Sequence, residues 1–301
     1  MTRSEWSLPV DGGLIGGVRS EGDGPDLLFV PNVGASAMTW STVLGHLEGL
    51  NTVALDLRGH ARSVTAPLLT SEETWRDIVA TIEGLDLRRP VVVGHTTGGF
   101  LALAAAADRP DLISAVVTIE AALLDAPRSV VHAYLQQVYL PEVIQTIAQR
   151  FDLGRIYRTQ DEVDAAVATH QNSAARDWIL NEVPDDIGEE IRYSIVDRGD
   201  GTWLRTPELT AMMAAHTLQI DATYYPSADL YRQVPLPIHV VQVEDGLSVI
   251  PPHQEAQLQA ELSHLTFHHL GGGHLAHRSH ADELAIIIAR ASAAAHRIVR
   301  S

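Results

Sequence analysis

The chain has no cysteine, and all 21 of its Lys+Arg residues are arginine, so several chemistries are absent from its 301 residues by inventory. Without a thiol there is no cysteine nucleophile, disulfide, iron–sulfur cluster or thiolate zinc site. Without lysine there is no Schiff base, no pyridoxal phosphate anchored in the usual way and no P-loop lysine. No cofactor is expected, and covalent catalysis is left to Ser, Thr, Asp, Glu, His or Tyr. Positive charge is also scarce, with 21 bases against 38 acids and a formal charge of −17. The acids are spread along the chain, and such a surface repels phosphate backbones and anionic membranes, so neither nucleic acid nor membrane is an expected partner. No segment offers about twenty consecutive apolar residues, and Met1 to Trp6 lacks the apolar core of a leader, so a cytoplasmic protein is expected. What is present, 46% hydrophobic residues with 22 Gly and 15 Pro, is the composition of an ordinary globular domain.

Short apolar runs alternate with helical patterns, the signature of an α/β fold with a mostly parallel sheet flanked by helices. Asp26 to Val30, Thr52 to Asp56, Pro90 to Gly94 and Ala115 to Glu120 read as buried strands. Glu72 to Leu85 reads as one helix with Thr70 and Glu73 as a capping box, and Gly98 to Asp108 as a small-residue helix. From Arg128 the pattern becomes helical and amphipathic, with a hairpin turn expected between Asp197 and Trp203. Strands at Pro237 to Val243 and Leu265 to His269, with helices at Pro252 to Glu261 and Ala281 to Ala295, then resume the α/β rhythm. The expected organisation is one core, 1–127 with 234–301, interrupted by a helical lid at 128–233. Gly12 to Gly17 belongs to an N-terminal hairpin, since no strand precedes it as a dinucleotide fingerprint requires.

The sharpest local signal is Val91-Val-Val-Gly94-His95-Thr96-Thr97-Gly98-Gly99, a hydrophobic strand entering a glycine-flanked turn and then a small-residue helix. This is the context of a nucleophile elbow, with Thr96 where a hydroxyl would be held above the sheet. Asp56-Leu-Arg-Gly-His-Ala-Arg-Ser63 is similar to a D-x-R-G-x-G-x-S loop, Gly34-Ala-Ser36 with Trp40 to an oxyanion-loop region, and Gly272-Gly-His274 to a terminal histidine motif. In this order and spacing the chain resembles the α/β-hydrolase superfamily over nearly its whole length.

The resemblance implies roles. His274 would take the Thr96 proton and return it to a leaving group. Two carboxylates compete to orient it. The family's common acid would fall at Gly246, with Asp245 displaced by one residue, whereas Glu120 ends its strand at the position used by a subset that includes lactonases. Glu120 is the expected acid and Asp245 the alternative. The oxyanion hole would use the backbone amides of Val33 and Thr97. Pro31-Asn32 stands where most relatives have His-Gly, and Asn tolerates the left-handed conformation that Gly supplies. Threonine at the elbow is the larger departure, because a β-branched residue at positive φ is a steric outlier.

Three readings follow: hydrolysis of an ester or lactone through an acyl-threonine, a lyase or cyclase using His274 as base with Thr96 only positioning, or a ligand-binding protein without chemistry. Asn32, His95, Trp40, Tyr134, Trp178 and Tyr224 are the expected substrate-facing residues of an apolar pocket, with Tyr139, Tyr225 and Met212-Met213 in the same lid. His274, His277 and His280 invite a metal reading, but steps of three rotate the last ligand away from the first on a helix, so no metal is expected. An apolar small molecule is the expected partner, and a homodimer is left open.

Overall fold

A computed structural model describes residues 3–174 and 187–299. Strands β1 (Ser4–Val10) and β2 (Gly13–Ser20) form the N-terminal hairpin. The chain continues through β3 (Asp26–Val30), α1 (Ser41–Gly45), β4 (Asn51–Leu55), α2 (Ser71–Thr74), α3 (Arg76–Gly84), β5 (Val91–His95), α4 (Thr97–Asp108) and β6 (Ala115–Ile119). It then leaves the main sheet for α5 (Arg128–Val138), α6 (Pro141–Arg150), β7 (Ile156–Tyr157), α7 (Gln160–Ala174), α8 (Ile187–Tyr193), β8 (Ile195–Asp197), β9 (Trp203–Arg205), α9 (Leu209–Ala215) and α10 (Asp229–Gln233). It returns with β10 (Ile238–Asp245), α11 (Pro252–Glu261), β11 (Leu265–Gly273), α12 (Ala276–Ser279) and α13 (Ala281–Val299).

Eight strands form one sheet in the order β1-β2-β4-β3-β5-β6-β10-β11, parallel from β4 to β11 and antiparallel at the β1-β2-β4 edge. Successive side chains of a strand point to opposite faces. Leu28, Val30, Val92 and Val116 therefore join α3, α4 and α11 in one apolar layer, while Leu27, Phe29, Val91, Val93 and Val117 join α1 and α13 in the other. A strand buried on both faces reads as a continuous apolar run. That is why β5 and β6 stand out in the sequence.

The expected hairpin at 197–203 is formed by β8 and β9, and β7 adds a third strand, so the insertion holds a small antiparallel sheet besides its helices. The single helix expected from Glu72 is instead two, α2 and α3, meeting at Trp75. The capping box does not form. Thr70 makes no side-chain cap bond, the Thr74 hydroxyl takes the Thr70 carbonyl at 2.8 Å, and Glu73 pairs with Arg76 at 3.1 Å. The Trp75 indole donates back to the Glu72 carbonyl at 2.8 Å, a local bond that competes with helix continuity.

Neighbouring parallel strands deliver the site. β5 and β6 pair with His95 opposite Ile119, and β6 and β10 pair with Ile119 opposite Val241, so their carboxyl ends lie side by side. Ligands in open α/β sheets bind at such strand ends.

Candidate active site

Thr96 links β5 to α4 with φ +49° and ψ −112°, a conformation costing a non-glycine residue on the order of 1–3 kcal/mol. The turn is held by the Thr96 amide donating to the Ile119 carbonyl at 2.8 Å and the Gly99 amide donating to the Thr96 carbonyl at 3.0 Å. It also needs close backbone approach. A Cβ on Gly94 would lie 2.3 Å from the Gly98 carbonyl oxygen, and one on Gly98 would lie 2.3 Å from that of Val30. The Thr96 hydroxyl is buried and, among the described residues, has no hydrogen-bond partner.

His274 follows β11 and places Nδ1 3.1 Å from Oε2 of Glu120. Glu120 lies just past β6 at φ +53°, fully buried, with its amide donating to the Val241 carbonyl at 3.1 Å. Its Oε2 also accepts the Leu247 amide at 2.7 Å. With the carboxylate as acceptor, Nδ1 is the donor and Nε2 keeps its lone pair, the tautomer a base requires. Asp245, the alternative acid, is exposed at the end of β10 and makes no bond to His274. A steric relation explains the choice: a Cβ on Gly246 would lie 2.1 Å from Oε1 of Glu120. The Glu120 carboxylate fills the space that an acid side chain at 246 would need.

The Thr97 amide opens α4, and it donates to Oδ1 of Asn32 at 3.4 Å. Asn32, Val33 and Gly34 line the same cavity. The loop is held from behind by His60, whose Nε2 accepts the Gly34 amide at 3.0 Å while Nδ1 donates to the Arg58 carbonyl at 3.0 Å. Burial pushes His60 down to about 4, which keeps the acceptor nitrogen unprotonated. Asp56, at the start of the same D-x-R-G loop, is fully buried and pushed up to about 6, chiefly by desolvation. It accepts the Ala37 amide at 2.6 Å, the Arg62 amide at 3.2 Å and the Tyr193 hydroxyl at 2.7 Å, joining the oxyanion-type loop to α8.

Behind His274, three imidazoles pack together. His95 donates Nε2–H to the His274 carbonyl at 2.9 Å, and its ring lies 4.8 Å from that of His274 and 4.3 Å from that of His277. His277 bonds the Thr39 hydroxyl at 2.9 Å. Desolvation holds both His95 and His277 well below the usual histidine range. His280 turns to the Ser279 hydroxyl at 2.9 Å.

Above the strand ends opens a cavity of about 700 Å³ with a largely apolar wall, including Phe100, Leu123, Val131, Ile144 and Met212. Thr96, Thr97, Asn32, Val33, His95, Glu120 and His274 all reach it. Tyr134 sits at its edge, half exposed, and Tyr225 is buried in its wall with its hydroxyl 3.0 Å from Nδ1 of His132. Two expected residues are elsewhere. Trp40 is fully buried against Phe29 and His277, at 5.2 and 5.0 Å between rings, because the tight turn Ala37–Trp40 aims it into the core rather than the cavity. Tyr224 points away, its ring against Trp75 at 5.4 Å and its hydroxyl donating to Asp108 at 2.9 Å, while the adjacent Tyr225 turns inward. Trp178 lies outside the described residues. Tyr139, read from the sequence only as a lid residue, lines the cavity with Thr97 beside the elbow, and its ring lies 4.1 Å from that of His216. The role of His60 was missed, since it acts through the Gly34 amide that it holds.

The alpha/beta hydrolase family model matches residues 27–286, and the chain belongs to that family. Among curated relatives, a putative non-heme haloperoxidase of Mycobacterium phage D29 is 33% identical over 109 residues, an alignment spanning 35% of this chain and 39% of that protein. The sn-1-specific diacylglycerol lipase of Danio rerio is 26% identical over 227 residues, 71% of this chain and 68% of the other. Among solved structures, the thioesterase domain from the curacin biosynthetic pathway superposes with a TM-score of 0.70 at 20% identity, covering 96% of this chain and 99% of that one. That likeness shows the fold. The family and its lipase relative make the chain similar to hydrolases.

Proposed function

We propose that the chain is a hydrolase of carboxylic esters or lactones with a largely apolar body, working through Thr96, His274 and Glu120. The observation that carries this reading is the 3.1 Å contact between Glu120 and His274 beside a threonine held at φ +49° on the elbow. Nε2 of His274 takes the proton from Oγ1 as that oxygen attacks the substrate carbonyl carbon. The amides of Thr97 and Val33 hold the oxyanion, for which the substrate oxygen displaces Oδ1 of Asn32 from Thr97. Collapse expels the alkoxide, which leaves with the proton from His274. Water then attacks the acyl-threonine with His274 again as base, releasing the acid and restoring Oγ1–H. In a lactone, the freed alcohol remains part of the acyl chain throughout, and this second step releases a single hydroxy acid.

A relative named as a lipase and an apolar cavity of about 700 Å³ support a lipophilic ester. The chain between β6 and β10 acts as the lid, since α5, α6 and α9 contribute much of the cavity wall. One observation favours a second reading, in which His274 is the base of a lyase or cyclase: among the described residues the Thr96 hydroxyl has no hydrogen-bond partner. Thr96 variants separate the two. For the hydrolase, Thr96→Ala abolishes turnover, an acyl adduct is trapped on the wild-type threonine by mass spectrometry, and Thr96→Ser is at least as fast, because the methyl penalty is relieved. Retained turnover in a folded Thr96→Ala protein, with no adduct, overturns the acyl-enzyme.

A further inference from the structure

We propose that the cavity recognises a carboxylate on its substrate through Arg205, so that the preferred substrates are esters or lactones of apolar molecules carrying one acid group. The proposal rests on the hydrolase reading and specifies its substrate class.

Arg205 ends β9, is only 8% exposed, and lines the cavity together with Ile187, Glu190 and Ile191 of α8. Its Nη1 donates to the Ile191 carbonyl at 3.0 Å, and its Nε is enclosed and, among the described residues, has no hydrogen-bond partner. No carboxylate among the described residues lies within ion-pair distance of it. The nearest acids are committed to other bases. Glu190 pairs with Arg278, and Asp152 pairs with Arg155 at 3.1 Å and His170 at 3.2 Å. Among the described residues, then, Arg205 has no carboxylate of its own, and its guanidinium stands in a cavity wall that is largely apolar.

A guanidinium cannot escape this situation by losing its proton, and an unpaired buried charge is strongly unfavourable. A substrate carboxylate relieves it, because its two oxygens match the planar fork of donors. A phosphate monoester fits less well. It would bring a second negative charge, and the neighbouring cation, Arg278, is already engaged with Glu190. The surface carries a formal charge of −17 and repels anions in bulk, so a local cation inside the cavity confers selectivity for an acid delivered on an apolar scaffold.

The test uses matched p-nitrophenyl substrates: esters of straight-chain fatty acids and the mono-esters of α,ω-diacids of equal chain length, from four to twelve carbons. Wild-type kcat/KM should favour the diacid mono-ester by tenfold or more at one chain length. Arg205→Met should lower that ratio by tenfold or more, and Arg205→Lys should recover part of it. Calorimetry on Thr96→Ala protein, with the free diacid against the monoacid, reads the same preference without catalysis. If Arg205→Met does not fold, Arg205→Gln and Arg205→Lys carry the comparison. Ester turnover with no preference at any length, or a ratio unmoved by the Arg205 substitutions, overturns the carboxylate site and leaves the hydrolase standing. Diacid binding that depends on Arg205 in a protein that hydrolyses none of the esters supports the site and counts against the hydrolase.

Discussion

Adding one methyl group at Gly246 should disable His274 through its partner Glu120: the Cβ of Gly246→Ala falls 2.1 Å from Oε1 of Glu120 and 2.8 Å from Cγ2 of Val243. Restoring ordinary contact requires a shift of about 1 Å. Glu120 is fully buried, so its carboxylate has nowhere to move except away from its partners. A shift of that size carries the 3.1 Å contact with His274 out of hydrogen-bonding range and stretches the 2.7 Å contact with the Leu247 amide. Losing one charge-assisted hydrogen bond at roughly 1.5–3 kcal/mol translates to about a 10- to 100-fold loss in kcat. Overpacking should separately cost about 1–3 kcal/mol of stability. The assay is kcat on a responsive ester beside the urea midpoint, repeated in a Glu120→Ala background where the clash partner is gone. There the further loss in kcat should shrink below threefold. Wild-type kcat in Gly246→Ala, or an equal penalty in both backgrounds, refutes the argument. Moving the carboxylate, with Gly246→Asp in Glu120→Gly, should recover part of the activity that Glu120→Gly loses.

Tyr139→Phe removes a hydroxyl that lines the cavity beside Thr97 but keeps the ring against His216, and should lower kcat by no more than about fivefold, the size of one neutral hydrogen bond; a larger loss would contradict that placement. Tyr224→Phe should leave kcat and KM within twofold, because its hydroxyl bonds Asp108 away from the cavity, and a large change in KM would contradict that placement. Acid should destabilise the fold. His60, held down at about 4, contributes roughly 3 kcal/mol that is present above pH 6.5 and lost as pH falls toward 4. Asp56, raised to about 6, has the opposite sign and regains a similar roughly 3 kcal/mol over about the same window. These two nearly cancel, so His95 and His277, both held well below the usual range, decide the net loss. Urea midpoints from pH 7.5 to 4.5 should fall in the wild type and flatten in His277→Phe; a flat wild-type curve would count against this balance.

The elbow was legible in the sequence because its determinants are local. An apolar strand buried on both faces, glycines where backbones nearly touch, and a small-residue helix each leave a mark on consecutive residues. The pairing of Glu120 with His274 was legible through an absence, since Gly246 vacates the usual acid position and the structure shows the space filled from the neighbouring strand. Side-chain direction within the insertion was not. Tyr224 and Tyr225 are adjacent, and only tertiary packing against Trp75 and His132 decides which one faces inward. Trp40 was misplaced for the same reason. The capping box failed because the Glu73 amide bonds the Thr70 carbonyl instead of its hydroxyl and the Glu73 carboxylate pairs with Arg76. Nothing in the sequence marks Arg205, because which of the described carboxylates pair with other arginines is decided by tertiary packing.

The cluster in which His95 packs against both His274 and His277 unites three separate stretches of chain: the elbow, the histidine loop and, through the Thr39 hydroxyl, the turn before α1. A joint of this kind works like the keystone behind an arch. Thr96 and His274 are braced from the rear, on the core side, while the insertion meets the same end of the sheet through Tyr193 on Asp56. Recombination should therefore be able to exchange the residues between β6 and β10 for those of a relative and alter what is bound, provided the contact that Tyr193 makes with Asp56 is kept.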